Sequence, residues 1–210
     1  MTGRLIRAGR EPTFTEEARR KQIIGCAIEI LAERGYSGAS LAAIAERAGV
    51  SKGVISYHFA GKAELLEQVV RAVYAAGAQY MQPRIQAEQT AAAMLAAYLR
   101  ANLEFIRDHP QHMRAMAEII LNVRSGDGVL RLAGGREGIE TVLDSVQSIL
   151  RKGQQDGEFG EFDTRTMAWA VRAAIDSVSQ QRALDPDLDF DVAIQELAGL
   201  FDRATRAGGT

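Results

Sequence analysis

Apolar residues recur at intervals of three and four positions along most of the chain. Two such stripes consist of Ile24, Ala27, Ile28 and Leu31, and of Leu65, Val69, Ala72 and Ala76. This spacing places the apolar side chains on one face of an α-helix. No segment shows the sustained alternation of apolar and polar residues that a half-buried strand requires. The pattern therefore predicts an all-α fold.

Glycine, serine and proline residues set the predicted helix ends. A first helix runs from about Thr15 to Arg34 and is ended by Gly35. A fourth, long helix runs from about Lys62 to Met81, before Pro83. Further helices are expected near 88–108, 111–123, 136–153, 164–182 and 190–206.

Two short helices lie between these long ones and form a helix-turn-helix pattern. Ser40–Ala48 is the first, Gly49 and Val50 form the turn, and Ser51–His58 is the second. We expect Gly49 to adopt a positive φ, and Gly53 to leave room for the backbone of a partner to approach. A serine-capped helix N-terminus offers unpaired N–H groups and partial positive charge, both of which suit phosphate.

The charge distribution supports an anionic partner for the N-terminal part only. Residues 1–62 carry ten Lys and Arg against six Asp and Glu, whereas residues 63–210 carry 15 basic and 21 acidic residues. With 47% hydrophobic and 25% charged residues, the composition is that of a globular protein with a real core. A basic N-terminal segment followed by an acidic remainder favours binding of a polyanion by the N-terminal segment.

Other function classes find little support in the sequence. The single cysteine, Cys26, excludes an internal disulfide and fits a cytoplasmic protein, and the first residues lack the apolar stretch of a signal peptide. His58, His109 and His112 show no metal-ligand spacing. No nucleophile motif or phosphate-binding loop occurs. We therefore expect no enzyme activity, no metal and no cofactor.

The block from Arg20 to Leu66 resembles the DNA-binding domain of tetracycline-repressor-like (TetR) regulators. The resemblance lies in "RKQIIGCAIEILAERGY", "SLAAIAERAGVSKG" and "YHFAGKAELL", which stand in the register of that family. It implies a flexible basic arm at residues 1–14, a three-helix DNA-binding domain at 15–62, and a larger helical effector-binding and dimerisation domain at 63–210. Arginines of the arm either lie in a minor groove or belong to a disordered tail.

The resemblance also implies DNA-binding roles for nine residues. They are Ser40, Ser51, Lys52, Gly53, Val54, Ser56, Tyr57, His58 and Lys62. Ser40 would bind a phosphate, and Ser51 and Lys52 would face the groove edge. Val54 and Tyr57 occupy positions that often face the bases, while His58 and Lys62 would contact phosphates. Phe59 is expected to be a core residue beneath the recognition helix.

Each of these assignments has a structural alternative. Ser40 and Ser51 could act only as helix caps, Tyr57 could be a buried interface residue, and His58 and Lys62 could be ordinary surface groups. Family members commonly carry tyrosine where this chain has Ser56. Either Ser56 makes a shorter contact here, or Tyr57 takes over part of that role.

The resemblance finally implies a repressor that binds a near-palindromic operator as a dimer and is released by a small-molecule effector. The last two helices would form the dimer interface, and double-stranded DNA would be the partner. Seven residues are candidates for the ligand pocket: Met94, Tyr98, Phe105, Met113, Met116, Ile120 and Trp169. The alternative is a DNA-binding regulator without an effector, either an activator or a constitutive repressor.

Overall fold

The computed structural model describes residues 13–122 and 135–207, which form nine α-helices. The helices are α1 (Phe14–Gly38), α2 (Leu41–Arg47), α3 (Lys52–His58), α4 (Lys62–Gln86), α5 (Ala91–Asp108), α6 (Pro110–Asn122), α7 (Gly135–Gln155), α8 (Thr164–Leu184) and α9 (Phe190–Thr205). The predicted all-α class is confirmed. Residues 1–12, with the predicted arginine arm, and the predicted breaks at 123–134 lie outside the described residues.

Two helices extend beyond their predicted ends. α1 reaches Gly38 because the chain kinks at Gly35, whose φ is +68°, and then resumes helical geometry. α4 continues through Pro83 to Gln86 instead of ending near Met81. The guanidinium of Arg84 stacks on the Tyr80 ring and donates to the Tyr80 carbonyl oxygen at 2.6 Å, which supports this last turn. The prediction that the helix stops before Pro83 was therefore wrong.

The apolar side chains form two cores. The first core joins α1 to α4 and includes Ile30, Ile44, Ile55 and Phe59. It also takes in Ala115 and Ile119 of α6. The second core joins α5, α7, α8 and α9, with Tyr98, Leu99, Leu150, Val171 and Phe201 among its buried residues. α4 touches both, because Val73 lies in the first core and Ile85 packs on the second.

Candidate nucleic-acid interface

α2 and α3 form the helix-turn-helix unit that the glycine and serine positions predict. The hydroxyl of Ser40 accepts from the backbone N–H of Ala43 at 3.1 Å, and that of Ser51 accepts from Val54 at 3.4 Å. Both serines are exposed. Gly49 has a φ of +63°, so the expected left-handed turn is confirmed.

α3 has one buried and one exposed face. Ile55 and the following Phe59 are buried in the first core, which confirms Phe59 as a core residue. The opposite face carries Lys52, Gly53, Ser56 and Tyr57, all of them exposed, with Val54 half-buried beside them. Packing thus holds a seven-residue helix that propensity alone would not stabilise. Its polar face is left available to a partner.

Tyr57 is the most prominent side chain on this exposed face. It is 68% exposed in the single chain, and its role as a DNA contact or an interface residue stays a prediction. Its hydroxyl donates to Glu16 Oε1 at 2.9 Å, and its ring stands edge-on to that of His58. Glu16 belongs to the capping box that begins α1 with Thr13. The start of α1 therefore borders the recognition helix.

His58 is half-buried at the end of α3. The Arg20 guanidinium donates to the His58 carbonyl oxygen at 2.5 Å and lies 4.5 Å from the centre of the Phe59 ring. Burial lowers the pKa of His58 below its ordinary value of 6.5, and the positive charge of Arg20 lowers it further. The imidazole is thus a weaker base in the free protein than in water.

Lys62 is not free on the surface at the start of α4. Its ammonium donates to the Tyr36 carbonyl oxygen at 2.7 Å and lies 4.0 Å from the centre of the Tyr36 ring. Burial lowers the pKa of this lysine. In this structure Lys62 ties α4 to the end of α1, and its contact with a phosphate stays a prediction.

Sequence reasoning missed the α1 side chains that hold the unit together. Arg20 covers the end of α3, and Gln22 donates to the Ala48 carbonyl oxygen at the end of α2 at 3.0 Å. Arg47 forms ion pairs with Glu29 and Glu33. The only signal for these contacts in the sequence was the position of Arg20, the first residue of the motif "RKQIIGCAIEILAERGY". The contacts themselves depend on how the helices cross.

α6 contacts the end of α1, beside the helix-turn-helix unit, at Tyr36. The carboxylate of Glu118 accepts from the backbone N–H of Tyr36 at 2.8 Å. Because the Lys62 ammonium binds the carbonyl oxygen of the same residue, both polar backbone groups of Tyr36 are held by other helices. Tyr36 is thus the meeting point of α1, α4 and α6.

The seven predicted ligand-pocket residues are divided between the two cores and the surface. Tyr98 and Phe105 are buried, while Ile120 and Trp169 are 51% and 52% exposed. The three methionines are half-buried: Met94 packs on the second core, Met116 on the first, and Met113 on both. A surface cavity of about 350 Å³ lies between α5 and α9, and none of the seven residues lines it. Their role as a ligand wall stays a prediction.

No helix within residues 13–122 or 135–207 combines the length and apolarity needed to cross a lipid bilayer. In the same parts of the chain, no group of three or more His, Cys, Asp and Glu side chains could hold a metal ion.

A capped, exposed recognition helix on a two-core helical body defines a helix-turn-helix protein. Residues 23–69 match the family model described as "Bacterial regulatory proteins, tetR family". The regulator BetI of Burkholderia thailandensis is 37% identical over 92 residues, which cover 42% of this chain and 46% of BetI. RutR of Escherichia coli is 26% identical over 167 residues, covering 75% and 72%. The matched part thus spans less than half of BetI.

Solved structures share the whole fold. A transcriptional regulator FadR from Bacillus subtilis, in complex with stearoyl-CoA, has a TM-score of 0.77 at 23% identity and covers 86% of this chain and 96% of its own. A TetR-family regulator from Rhodococcus sp. has a TM-score of 0.76 at 21% identity, covering 91% and 100%. Residues 23–69 thus match the DNA-binding part of TetR-type regulators, and the helical fold as a whole is that of these solved structures.

Proposed function

We propose that the protein represses transcription by binding a near-palindromic operator as a dimer, and that a small-molecule effector releases it. The observation that carries the proposal is the exposed face of α3, with Lys52, Ser56 and Tyr57 beside the capped helix start at Ser51. This face combines a cation, hydroxyl donors and an aromatic edge. Such groups suit phosphates and base edges in a major groove.

The second serine-capped start extends the phosphate-binding surface. Ser40 begins α2 as Ser51 begins α3, so each helix offers backbone N–H groups at an exposed end. In the proposal Ser40 holds the DNA backbone while Val54 and Tyr57 read bases. Lys62 and His58 contribute to phosphate binding from the end of the unit. Residues 15–62 therefore act as the reading head.

The proposed dimer forms through α8 and α9. One helix-turn-helix unit reads too few bases for specificity, and a two-fold dimer would place two recognition helices about 34–36 Å apart or at a multiple of that distance. Large apolar side chains are exposed on both helices, namely Trp169 and Leu184 on α8 and Val192 and Leu200 on α9. A second copy of the chain would remove these side chains from water.

The proposed effector acts through α4, which shares the first core with the reading head and reaches the second core at Ile85. A ligand that prefers one arrangement of α5 to α8 would displace α4 and, with it, the two heads of the dimer. A coupling free energy of about 1–3 kcal/mol is typical of such regulation. The structural relative FadR supports this idea, since its structure contains stearoyl-CoA.

The test begins with sequencing of genomic DNA captured by the purified protein. A recovered fragment is then measured by fluorescence anisotropy against a shuffled fragment across a range of salt concentrations. We expect a shared, near-palindromic sequence in the captured DNA. We also expect the fragment to bind at least about 1,000-fold more tightly than its shuffled control. Equal affinity for both fragments would refute the proposal.

An effector screen separates the regulated repressor from a regulator without an effector. Metabolites that raise the melting temperature of the protein are tested for release of the captured fragment. A compound that does both supports effector control. Reporter expression that rises when the gene is deleted supports repression, whereas a fall would indicate activation.

A further inference from the structure

A group of polar side chains joins α5 to α8 and extends toward α4. Tyr98 and Asn102 of α5 contact Arg172 of α8, which pairs with Asp176. Together with Tyr74 of α4, which is 43% exposed and interacts electrostatically with Arg172, they are here called the Arg172 cluster. Tyr98 and Asn102 are buried. The Arg172 side chain is 20% exposed. A charged arginine thus lies at the edge of the second core with a narrow opening to solvent.

The contacts within the cluster engage only part of the arginine. Nη1 donates to Asn102 Oδ1 at 3.1 Å and lies 3.5 Å from the Tyr98 hydroxyl oxygen, at the outer limit of a hydrogen bond. Nη2 donates to Asp176 Oδ1 at 2.8 Å. Asn102 is itself fixed, because its amide donates to the Tyr98 carbonyl oxygen at 2.8 Å. Asp176 lies on the solvent side of the arginine, with its side chain 58% exposed.

The cluster has more donors than acceptors. A guanidinium has five N–H groups, and the contacts above leave two of them without an acceptor among the described residues. The Tyr98 hydroxyl can only accept from Arg172, so its own proton also lacks an acceptor there, although Tyr98 is only 2% exposed. An acceptor from outside the chain would satisfy these groups.

Tyr74 adds a further hydroxyl and connects the cluster to α4. Burial raises the pKa of Tyr74, and the charge of Arg172 opposes that rise, so the phenol lies within electrostatic reach of the guanidinium. Within residues 13–122 and 135–207 the Tyr74 hydroxyl has no hydrogen-bond partner. Tyr74 directly follows Val73, which is buried in the first core with the helix-turn-helix unit.

We propose that the Arg172 cluster binds the carboxylate of a small organic acid. The two carboxylate oxygens would accept from the unused N–H groups of Arg172 and from a tyrosine hydroxyl, and Asp176 would move away from Arg172. Arginine suits this role because its planar donors match a carboxylate in pairs. A carboxylate held between Arg172 and Tyr74 would also fix α4 relative to α8.

The binding step is tested without DNA. The full-length protein is titrated with sodium benzoate, and with benzamide at matched ionic strength, while the arginine Nε–H signals are followed by NMR. The Arg172 signal is assigned by its absence from Arg172→Met. We expect benzoate, and not benzamide, to shift that signal and to raise the melting temperature. Arg165→Met is the matched control, since Arg165 lies on the same helix but pairs with Glu140.

Three variants distinguish ligand recognition from a purely structural role. Arg172→Met should weaken benzoate binding by about tenfold or more, and Tyr98→Phe should weaken it by a smaller factor. Asp176→Asn removes the competing carboxylate and should strengthen benzoate binding by up to about fivefold. If the cluster were only structural, the benzoate affinities of the three variants would not follow this order.

Two results would overturn the inference. One is an Arg172 signal that benzoate leaves unchanged, or that benzamide shifts equally. The other is an Asp176→Asn protein that binds benzoate no better than wild type. The effect on α4 rests on the proposed function and is read separately, as a change in affinity for the captured DNA fragment. A wild-type protein that fails to bind specific DNA in the absence of benzoate would count against the proposed function. It would not count against the carboxylate site.

Discussion

At the scale of single residues, Gly49 and Gly53 serve different purposes in the helix-turn-helix unit. Gly49 has a φ of +63°, where a side chain would be strained, so the fold itself needs glycine. At Gly53 an added Cβ would meet only the Ser51 hydroxyl oxygen, at an ordinary 3.6 Å. The fold therefore tolerates a larger residue at Gly53.

We predict that Gly53→Ala separates folding from DNA binding. Alanine favours the helix, so the free energy of unfolding should stay unchanged or rise by up to about 1 kcal/mol. The added methyl group would keep the DNA backbone away from the exposed face of α3. Affinity for the captured fragment should fall by about tenfold, equivalent to about 1.4 kcal/mol. Urea unfolding and fluorescence anisotropy measure the two quantities.

Gly49→Ala provides the contrast for this experiment. It should lower the free energy of unfolding by about 1–2 kcal/mol, since alanine is strained at that φ. If Gly53→Ala destabilised the protein as much as Gly49→Ala, the glycine at position 53 would serve the fold. If Gly53→Ala left DNA affinity unchanged, α3 would not approach the duplex as proposed.

Local chemistry predicted some parts of the site and not others. The caps at Ser40 and Ser51 and the turn at Gly49 follow from the residue types alone, because each needs only a few neighbouring residues. The partner of Lys62 could not be predicted in this way. Its ammonium binds the Tyr36 carbonyl oxygen, 26 residues away, and that contact depends on where α1 ends.

At the scale of helices, α6 belongs to the same core as the helix-turn-helix unit. Ala115 and Ile119 lie in the first core, and the Glu118 carboxylate holds the N–H of Tyr36. Gly35 permits this approach, because an added Cβ there would lie 3.1 Å from Glu118 Oε2. A movement of α6 would therefore disturb the end of α1 and, through Lys62, the start of α4.

We predict that Glu118→Ala lowers the free energy of unfolding by about 1–3 kcal/mol, because the N–H of Tyr36 loses its acceptor. Glu118→Gln keeps an acceptor oxygen and should restore most of that loss. Urea unfolding of both variants measures the difference. If the alanine and glutamine variants were equally stable, the hydrogen bond from the Tyr36 N–H to Glu118 would not be what stabilises this junction.

The corner between α5 and α6 should make stability depend on pH. His112 lies there against the Phe105 and His109 rings. Burial lowers its pKa below 6.5, and the nearby His109 lowers it further. Protonation therefore costs more in the folded than in the unfolded chain. This contribution to stability is complete above pH 6.5 and is lost as the pH falls through the lower, folded-state pKa.

We predict that His112→Gln flattens the rise of the unfolding free energy that occurs as the pH approaches 6.5 from below. Part of the rise should remain, because burial also lowers the pKa of His58. Urea unfolding at several pH values measures both proteins. A wild-type curve that falls as the pH approaches 6.5, or an unchanged slope in the variant, would contradict the assignment to His112.

The end of α4 shows where helix prediction from local rules failed. Proline usually breaks a helix because it lacks an N–H and crowds the preceding turn. Here Arg84 supplies a side-chain donor to the Tyr80 carbonyl oxygen, and Ile85 packs on the second core. Tertiary packing thus outweighs the local cost of Pro83. The helical spacing of apolar residues from Leu65 onward still predicted this segment correctly as an α-helix.

At the scale of the whole molecule, the proposed dimer depends on the exposed apolar side chains of α8 and α9. Trp169, Val192 and Leu200 are each about half exposed. A monomer would leave them in water, whereas a two-fold pairing of α8 and α9 would bury them.

We predict that Leu200→Glu dissociates the dimer, because a carboxylate would be buried without a partner. Its dimer dissociation constant, measured by sedimentation, should rise at least about 100-fold, and the variant should keep its helical circular dichroism. Phe14→Glu is the control, since Phe14 is 87% exposed at the start of α1 and its substitution should leave dimerisation unchanged.

Because specificity requires two linked reading heads, Leu200→Glu should also reduce operator affinity toward that of shuffled DNA. A Leu200→Glu protein that stays dimeric would place the interface elsewhere, and a monomer that still binds the operator tightly would refute the two-headed mechanism.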